Sequence, residues 1–279
     1  MSSRFFRQCR LVVLAGVLAT GCATTRTTGR GAVGVERDQT MLVSSAEVDR
    51  SAAKAYQETM REARSKNLLN RDPRQLERVR TVANRLIPAT GAFRRDAPGW
   101  QWQVNVVSSR ELNAWCMPGG KLAVYTGLIE QLQVTDDELA AVMGHEIAHA
   151  LREHGREKAS QAVGLNVAAA LGGALIGAYL GIDSGLGQSM IGTVGDLAFM
   201  RPNSREMEQE ADRIGVELAA RAGYDPAAAI TLWEKMGRVA DGQPPQWLST
   251  HPSHQSRIAD LRIYVQRVQP LYLAARRSP

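Results

Sequence analysis

The sequence predicts an α+β domain, mainly helical, with a small β-sheet beside one central helix. Three observations lead there. The central stretch, around Gly144-His145-Glu146-Ile147-Ala148-His149, has apolar residues at helical spacing and a clear start signal. Two regions, 100–106 and 112–128, read as short strands. Most other patterned segments repeat at the helical period.

From the amino terminus, Arg4, Arg7 and Arg10 precede the apolar run Leu11 to Leu18, which is too short to span a bilayer. Basic residues before such a run read as a secretory signal over residues 1–21. The formal charge is +6, and removing those three arginines leaves +3, with no nucleic-acid footprint. The 44% apolar and 22% charged residues are those of an ordinary globular chain. Leu18-Ala19-Thr20-Gly21-Cys22 is similar to the lipobox of bacterial lipoproteins, with Ala19 where Leu is usual. That resemblance implies cleavage before Cys22 and its acylation, and a stable hold on a membrane surface. Ala23, rather than Asp, follows Cys22, which by the sorting habit of such lipoproteins implies the outer membrane. The remaining cysteines are Cys9, lost with the signal, and Cys116, so the mature chain has no intramolecular disulfide.

Residues 22–44 are Thr- and Gly-rich and are expected to be a flexible tether, with the domain proper at 45–270 and a tail at 271–279. Ser45 to Lys66 reads as a polar helix, and Asp72-Pro73 caps a second one running to about Leu86. Trp100, Trp102, Val104 and Val106 alternate with polar residues, the period of a half-buried strand. Residues 112–128 read as two strands joined at Pro118-Gly119-Gly120. One reading is a plain hairpin. The other places Asn113, Ala114, Trp115 and Cys116 at the sheet edge, where a substrate backbone could add as a further strand. Val163 to Ile182 carries no charge and many glycines. It reads as a packed helix or apolar flap, with a membrane span as the alternative.

The central helix opens with Thr135-Asp136-Asp137-Glu138, a capping box, and Gly155 is its expected stop, about 20 residues on. His145 and His149 lie four apart, hence on one face, where two imidazoles can grip one divalent ion while Glu146 reaches a water beside it. Such a motif arises by chance in roughly one chain in 150 of this length, so the helical context has to carry it. His154, nine residues after His145, falls on the opposite face and is expected at the surface or helix end.

A catalytic site of this type needs a third protein ligand and an open position. Asn203 is expected to cap the helix that supplies it, ended by Gly223. Of Glu206, Glu208 and Glu210, Glu208 shares its stripe with Asp212 and Arg205, while the other two read as solvated. His251, in a loop before Pro252, could donate to an oxyanion or fill the open position at rest. Arg257 could pair with Asp212 or steer substrate. Asp225-Pro226 starts a helix faced by Leu232, Met236 and Val239, and Ile258, Leu261, Val265 and Val268 face the last one.

His145-Glu146-x-x-His149 with Glu208-x-x-Ala211-Asp212, Asn113-Ala114-Trp115-x-x-Pro118-Gly119-Gly120 and His251-Pro252-x-x-x-x-Arg257-Ile258 resemble the gluzincin metalloendopeptidases. Within these the HtpX, CAAX prenyl protease and Oma-type group, and its bacterial periplasmic lipoprotein members, are most similar. The resemblance covers roughly residues 75 to 265. It implies a zincin-like domain holding one zinc per chain through His145, His149 and Glu208, with Glu146 as general base and Asp212 behind the ligands. It also implies misfolded or misassembled envelope proteins as substrates, with a zinc-binding, chaperone-like assembly factor of latent protease activity as the alternative.

Overall fold

The computed structural model describes residues 24–165, 202–239, 246–251 and 255–277. Helix α1 spans Ser45–Ser65 and α2 spans Pro73–Ala89. Each begins as its sequence dictates. Ser44 accepts from the Glu47 amide, and Asp72 accepts from Arg74 and Gln75 ahead of Pro73.

Three strands follow: β3 (Gln103–Val107), β4 (Ala114–Met117) and β5 (Lys121–Tyr125). Their order is β3-β5-β4, with β3 parallel and β4 antiparallel to β5. The β4–β5 turn uses Gly119 and Gly120 at positive φ, and a Cβ on Gly120 would come within 2.6 Å of the Trp102 ring. Only glycine closes this hairpin, and closing it leaves β4 as an edge strand. Short α3 (Thr126–Gln131) then leads to α4 (Asp136–Leu151), the central helix.

The capping box of α4 forms as expected, with Thr135 accepting from the Glu138 amide and Glu138 accepting from the Thr135 amide. Leu139, Met143, Ile147 and Leu151 are fully buried. Each contributes roughly 1.5–3 kcal/mol of burial. Behind α4 lies α5 (Arg205–Arg221), followed by α6 (Ala228–Val239), short α7 (Gln246–Thr250) and α8 (Gln255–Ala275). Helices α4 and α5 cross at Gly144 and Gly215. A Cβ on Gly144 would lie 2.9 Å from the Gly215 carbonyl oxygen, and one on Gly215 would lie 2.9 Å from the His145 nitrogen. Two bare backbones therefore meet, which brings His145 within reach of side chains on α5.

Four expectations are corrected. Residues 24–44 are not a free tether but a strap laid on the domain. In it β1 (Thr24–Thr25) pairs with β2 (Gln39–Thr40), and Val33, Val35, Met41 and Val43 are buried. The Val33 amide donates to Glu217 on α5 at 2.9 Å. Enough apolar side chains recur among the polar ones to fix the segment. Second, α4 stops at Leu151 rather than near Gly155. Glu153 takes φ 51°, held between Arg94 and Arg156, and the chain is helical again over 154–165. Third, α5 is capped by Ser204, not Asn203. Last, α8 continues through 271–275, where Leu271 and Tyr272 pack on the core, so the tail is shorter than expected. Of Val163 to Ile182, residues beyond 165 lie outside those described. Among the described residues, no helix is long and apolar enough to cross a membrane.

Candidate metal centre

One helical turn on α4 places the two imidazoles of His145 and His149 with their Nε2 atoms 3.1 Å apart. From α5, Glu208 reaches both: Oε2 is 3.4 Å from His145 Nε2, and Oε1 is 3.3 Å from His149 Nε2. His251, just past α7, sets Nδ1 3.2 Å from His145 Nε2 and 3.0 Å from Glu208 Oε1. All four residues are buried.

The hydrogen-bond network assigns the tautomers. Asp212 Oδ1 lies 3.0 Å from His145 Nδ1, and the carboxylate is gripped by Arg257, which donates to Oδ2 and to Oδ1, each at 2.7 Å. Burial disfavours a charged Asp212, but Arg257 and His145 together outweigh it and keep the carboxyl below its ordinary range. Asp212 therefore accepts, His145 Nδ1 carries the proton, and Nε2 presents a lone pair. His149 Nδ1 faces His154 Nδ1 at 2.7 Å, and His154 Nε2 faces Glu210 Oε2 at 3.0 Å. Glu210 accepts, so His154 carries its proton on Nε2 and accepts at Nδ1. His149 then donates from Nδ1, and its Nε2 is also a lone pair.

Two nitrogen lone pairs and a carboxylate thus converge. Zinc bonds of ~2.0–2.2 Å in a tetrahedron give ligand-to-ligand edges of about 3.3–3.6 Å; the separations of 3.3 and 3.4 Å match these, and the 3.1 Å between the imidazoles is slightly tighter. The donor set and spacing fit zinc. Without a cation, the same convergence is relieved by a proton. Against the cost of burial, contacts to Asp212 and Glu208 raise His145 to about 9, while burial lowers His149. Glu208 is held below its ordinary value, burial notwithstanding, by His251 and the two α4 imidazoles.

Glu146 points away from the core of this cluster toward the cleft. Its Oε1 accepts from the indole N–H of Trp247 on α7 at 2.8 Å, and His251 Nε2 is 3.5 Å away. Trp247 also stacks on His251, with ring centroids 4.7 Å apart. The cleft beside them has a volume of about 330 Å³ and is lined by Asn113, Trp115, Cys116, Glu146, His149 and His251, among others. Ala114 lines it too, so the whole expected edge stretch faces this opening. Burial raises the Cys116 thiol above its ordinary value, which keeps it a packing group.

The structure therefore brings together His145, His149, Glu208, Glu146, Asp212 and His251 as the sequence predicts. Arg257 pairs with Asp212, and it also approaches Glu208 Oε2 at 2.7 Å and lies 3.8 Å from the Trp233 ring. Glu206 is exposed as expected. Two readings fail. His154 is buried, because the left-handed turn at Glu153 swings it back beneath His149. Glu210 is buried as well, bound by His154, Arg152 and Arg37. Sequence reading also missed Trp247 and Asn203, whose amide donates to Glu208 Oε1 at 2.7 Å. A tryptophan four residues before His251 carries no spacing signal, because α7 is only five residues long.

The sequence is similar to those of known proteins. The sequence profile of peptidase family M48 matches residues 73–265. The mitochondrial metalloendopeptidase OMA1 of Bos taurus is 38% identical over 216 residues, covering 74% of this chain and 40% of its own length. Metalloprotease LoiP of Escherichia coli is 28% identical over 246 residues, 87% of this chain and 90% of LoiP. The beta-barrel assembly-enhancing protease of Escherichia coli is 29% identical over 218 residues, 76% of this chain and 43% of that protein. The chain thus spans about two fifths of the mammalian relative it matches, and most of LoiP. On the matched profile and these relatives, the chain belongs to peptidase family M48, a family of zinc metalloproteases.

Proposed function

We propose that this chain is a zinc-dependent metalloendopeptidase of the bacterial cell envelope. The observation that carries the reading is the convergence of the Nε2 lone pairs of His145 and His149 with Glu208 at tetrahedral spacing, with Glu146 beside them. His145, His149 and Glu208 would hold zinc. When bound, zinc supplies Lewis acidity, lowering the pKa of a water and polarising a scissile carbonyl. The chain supplies the rest. Glu146 takes the water's proton at its carboxylate and returns it to the departing amine. Asp212 holds His145 in the tautomer that ligates. Ala114 to Cys116 of edge strand β4, with Asn113 just before it, align an extended substrate backbone along the cleft.

We read the arrangement as a resting one. His251 Nδ1 stands where a fourth donor would, and the Trp247 indole occupies the general base. Both groups belong to one short segment, so its displacement would open the metal and free Glu146 together. Unfolded or misassembled envelope proteins are the proposed substrates. The secretory signal, the lipobox ending at Cys22 and the likeness to LoiP and the beta-barrel assembly-enhancing protease support that setting. A lipid anchor at Cys22 in the outer membrane is proposed on the same grounds. The latent site gives weight to a second role as an assembly factor that rarely cleaves.

The test is proteolysis of an unfolded protein by the purified chain. Glu146→Gln should lower the rate by about 10²–10⁴-fold with zinc retained. Cleavage at the parent rate would defeat the enzyme assignment, and loss of zinc would give Glu146 a structural role instead. His251→Ala should raise cleavage, and an unchanged or lower rate would remove the resting-state reading.

A further inference from the structure

His149 has an unusual supporting partner. Metal-bound imidazoles commonly donate their other N–H to a carboxylate, a carbonyl or water, as His145 does to Asp212. His149 instead meets the imidazole of His154 at 2.7 Å, and that ring passes the contact to Glu210 at 3.0 Å. Glu210 does not stop the chain. Arg152 grips it through contacts of 3.0 and 3.1 Å. Arg37 of the strap donates to it at 3.0 and 3.1 Å and also to Glu157. Gln39 of β2 donates to Glu157 and to the Arg152 carbonyl, both at 2.7 Å. His154, Arg152, Glu157, Glu210 and Gln39 are all buried. Nothing in the proposed chemistry uses them, yet burying so many charges is costly unless every one is paired.

Resting on the assignment of His149 as a zinc ligand, we propose that His154 is a positioning residue for His149. It is fixed in turn by Glu210 and by Arg37, so that the amino-terminal strap is a built part of the metal site. The relay works through one set of tautomers. Glu210 accepts from His154 Nε2–H, which leaves Nδ1 as an acceptor. His149 then donates its Nδ1–H there and directs the Nε2 lone pair at the metal. Removing the acceptor frees the His149 ring to rotate or to change tautomer, and either weakens metal binding.

Zinc affinity of the full chain, measured in competition with a chromophoric chelator, tests this without any appeal to activity. The visible spectrum of the cobalt-substituted protein gives a second readout of ligand geometry. His154→Phe keeps a ring but removes the acceptor, and should lower affinity about 10–100-fold and change the cobalt spectrum. His154→Asn restores an oxygen acceptor near Nδ1 and should bind within about threefold of the parent. Parent-like affinity and spectrum in His154→Phe would overturn the relay. So would an equal loss in His154→Asn. If His154→Phe does not fold, Arg37→Met carries the test from the strap end. An expected loss of about three- to tenfold there supports the relay, and no change defeats it. His149→Ala separates the two claims. If it loses zinc while His154→Phe does not, only the relay fails. If it binds zinc as the parent does, the ligand assignment fails and the relay with it.

Discussion

His145 and His149 stand one turn apart on the same helix face, yet their surroundings differ in kind. Behind His145 stands a carboxylate, Asp212, clamped by Arg257. Behind His149 stands a neutral ring, His154. Both sites are buried, and burial alone would lower both imidazoles. Glu208 touches both rings, but only His145 has a second carboxylate, Asp212, and it rises to about 9 while His149 stays lowered. Spacing on a helix sets where two ligands point. The groups behind them set how basic each one is and how firmly it is held.

The sharpest way to break this contrast is Asp212→Asn. An amide can offer its N–H to His145 Nδ1 and so favour the tautomer whose proton sits on Nε2, facing the metal. Zinc affinity should fall about 10–100-fold, at least as far as in His154→Phe. A smaller loss than in His154→Phe would mean that the carboxylate matters less than the relay.

Next in size is the helix crossing that lets α5 serve α4 at all. Gly215→Ala would place a Cβ 2.9 Å from the His145 nitrogen, with backbone on both sides. Overpacking of this kind costs roughly 1–3 kcal/mol of stability. Thermal unfolding of the metal-free chain reads it, and an unchanged midpoint would show that the helices can part freely.

The smallest effect should come from acid. Burial favours a neutral Glu157, but Arg37 and Gln39 outweigh it and hold its carboxyl below the ordinary 4.5. A lowered carboxyl stabilises the fold in full above its unfolded value and loses that contribution as pH falls through the folded one. Strap amides should therefore exchange faster, after correction for intrinsic rates, only when pH drops below about 4.5. Loosening at neutral pH would show that the ion network is not what holds the strap.

Much of the site was legible because it follows local rules. The capping box at Thr135, the four-residue spacing of the histidines and the stripe from Glu208 to Asp212 are helix geometry written in one dimension. What escaped depends on contacts distant in sequence. Glu153 has an ordinary side chain, and its left-handed turn is held partly by Arg94, 59 residues earlier. Without that turn His154 reads as surface. Glu210 reads as solvated until Arg37, 173 residues away, is placed beside it. The strap reads as a tether because its threonines and glycines mask the burial of Val33, Val35, Met41 and Val43.

Were Cys22 acylated, the strap would limit how far the cleft could stand from a bilayer. If Cys22 is acylated, as proposed, only Ala23 separates the fatty chains from the first paired residue, Thr24. Two residue steps span at most about 7 Å of extended backbone. Such an anchor leaves little leash: the catalytic mouth would hold a set height and heading over the lipid, and clients would be sampled only where they emerge from that surface.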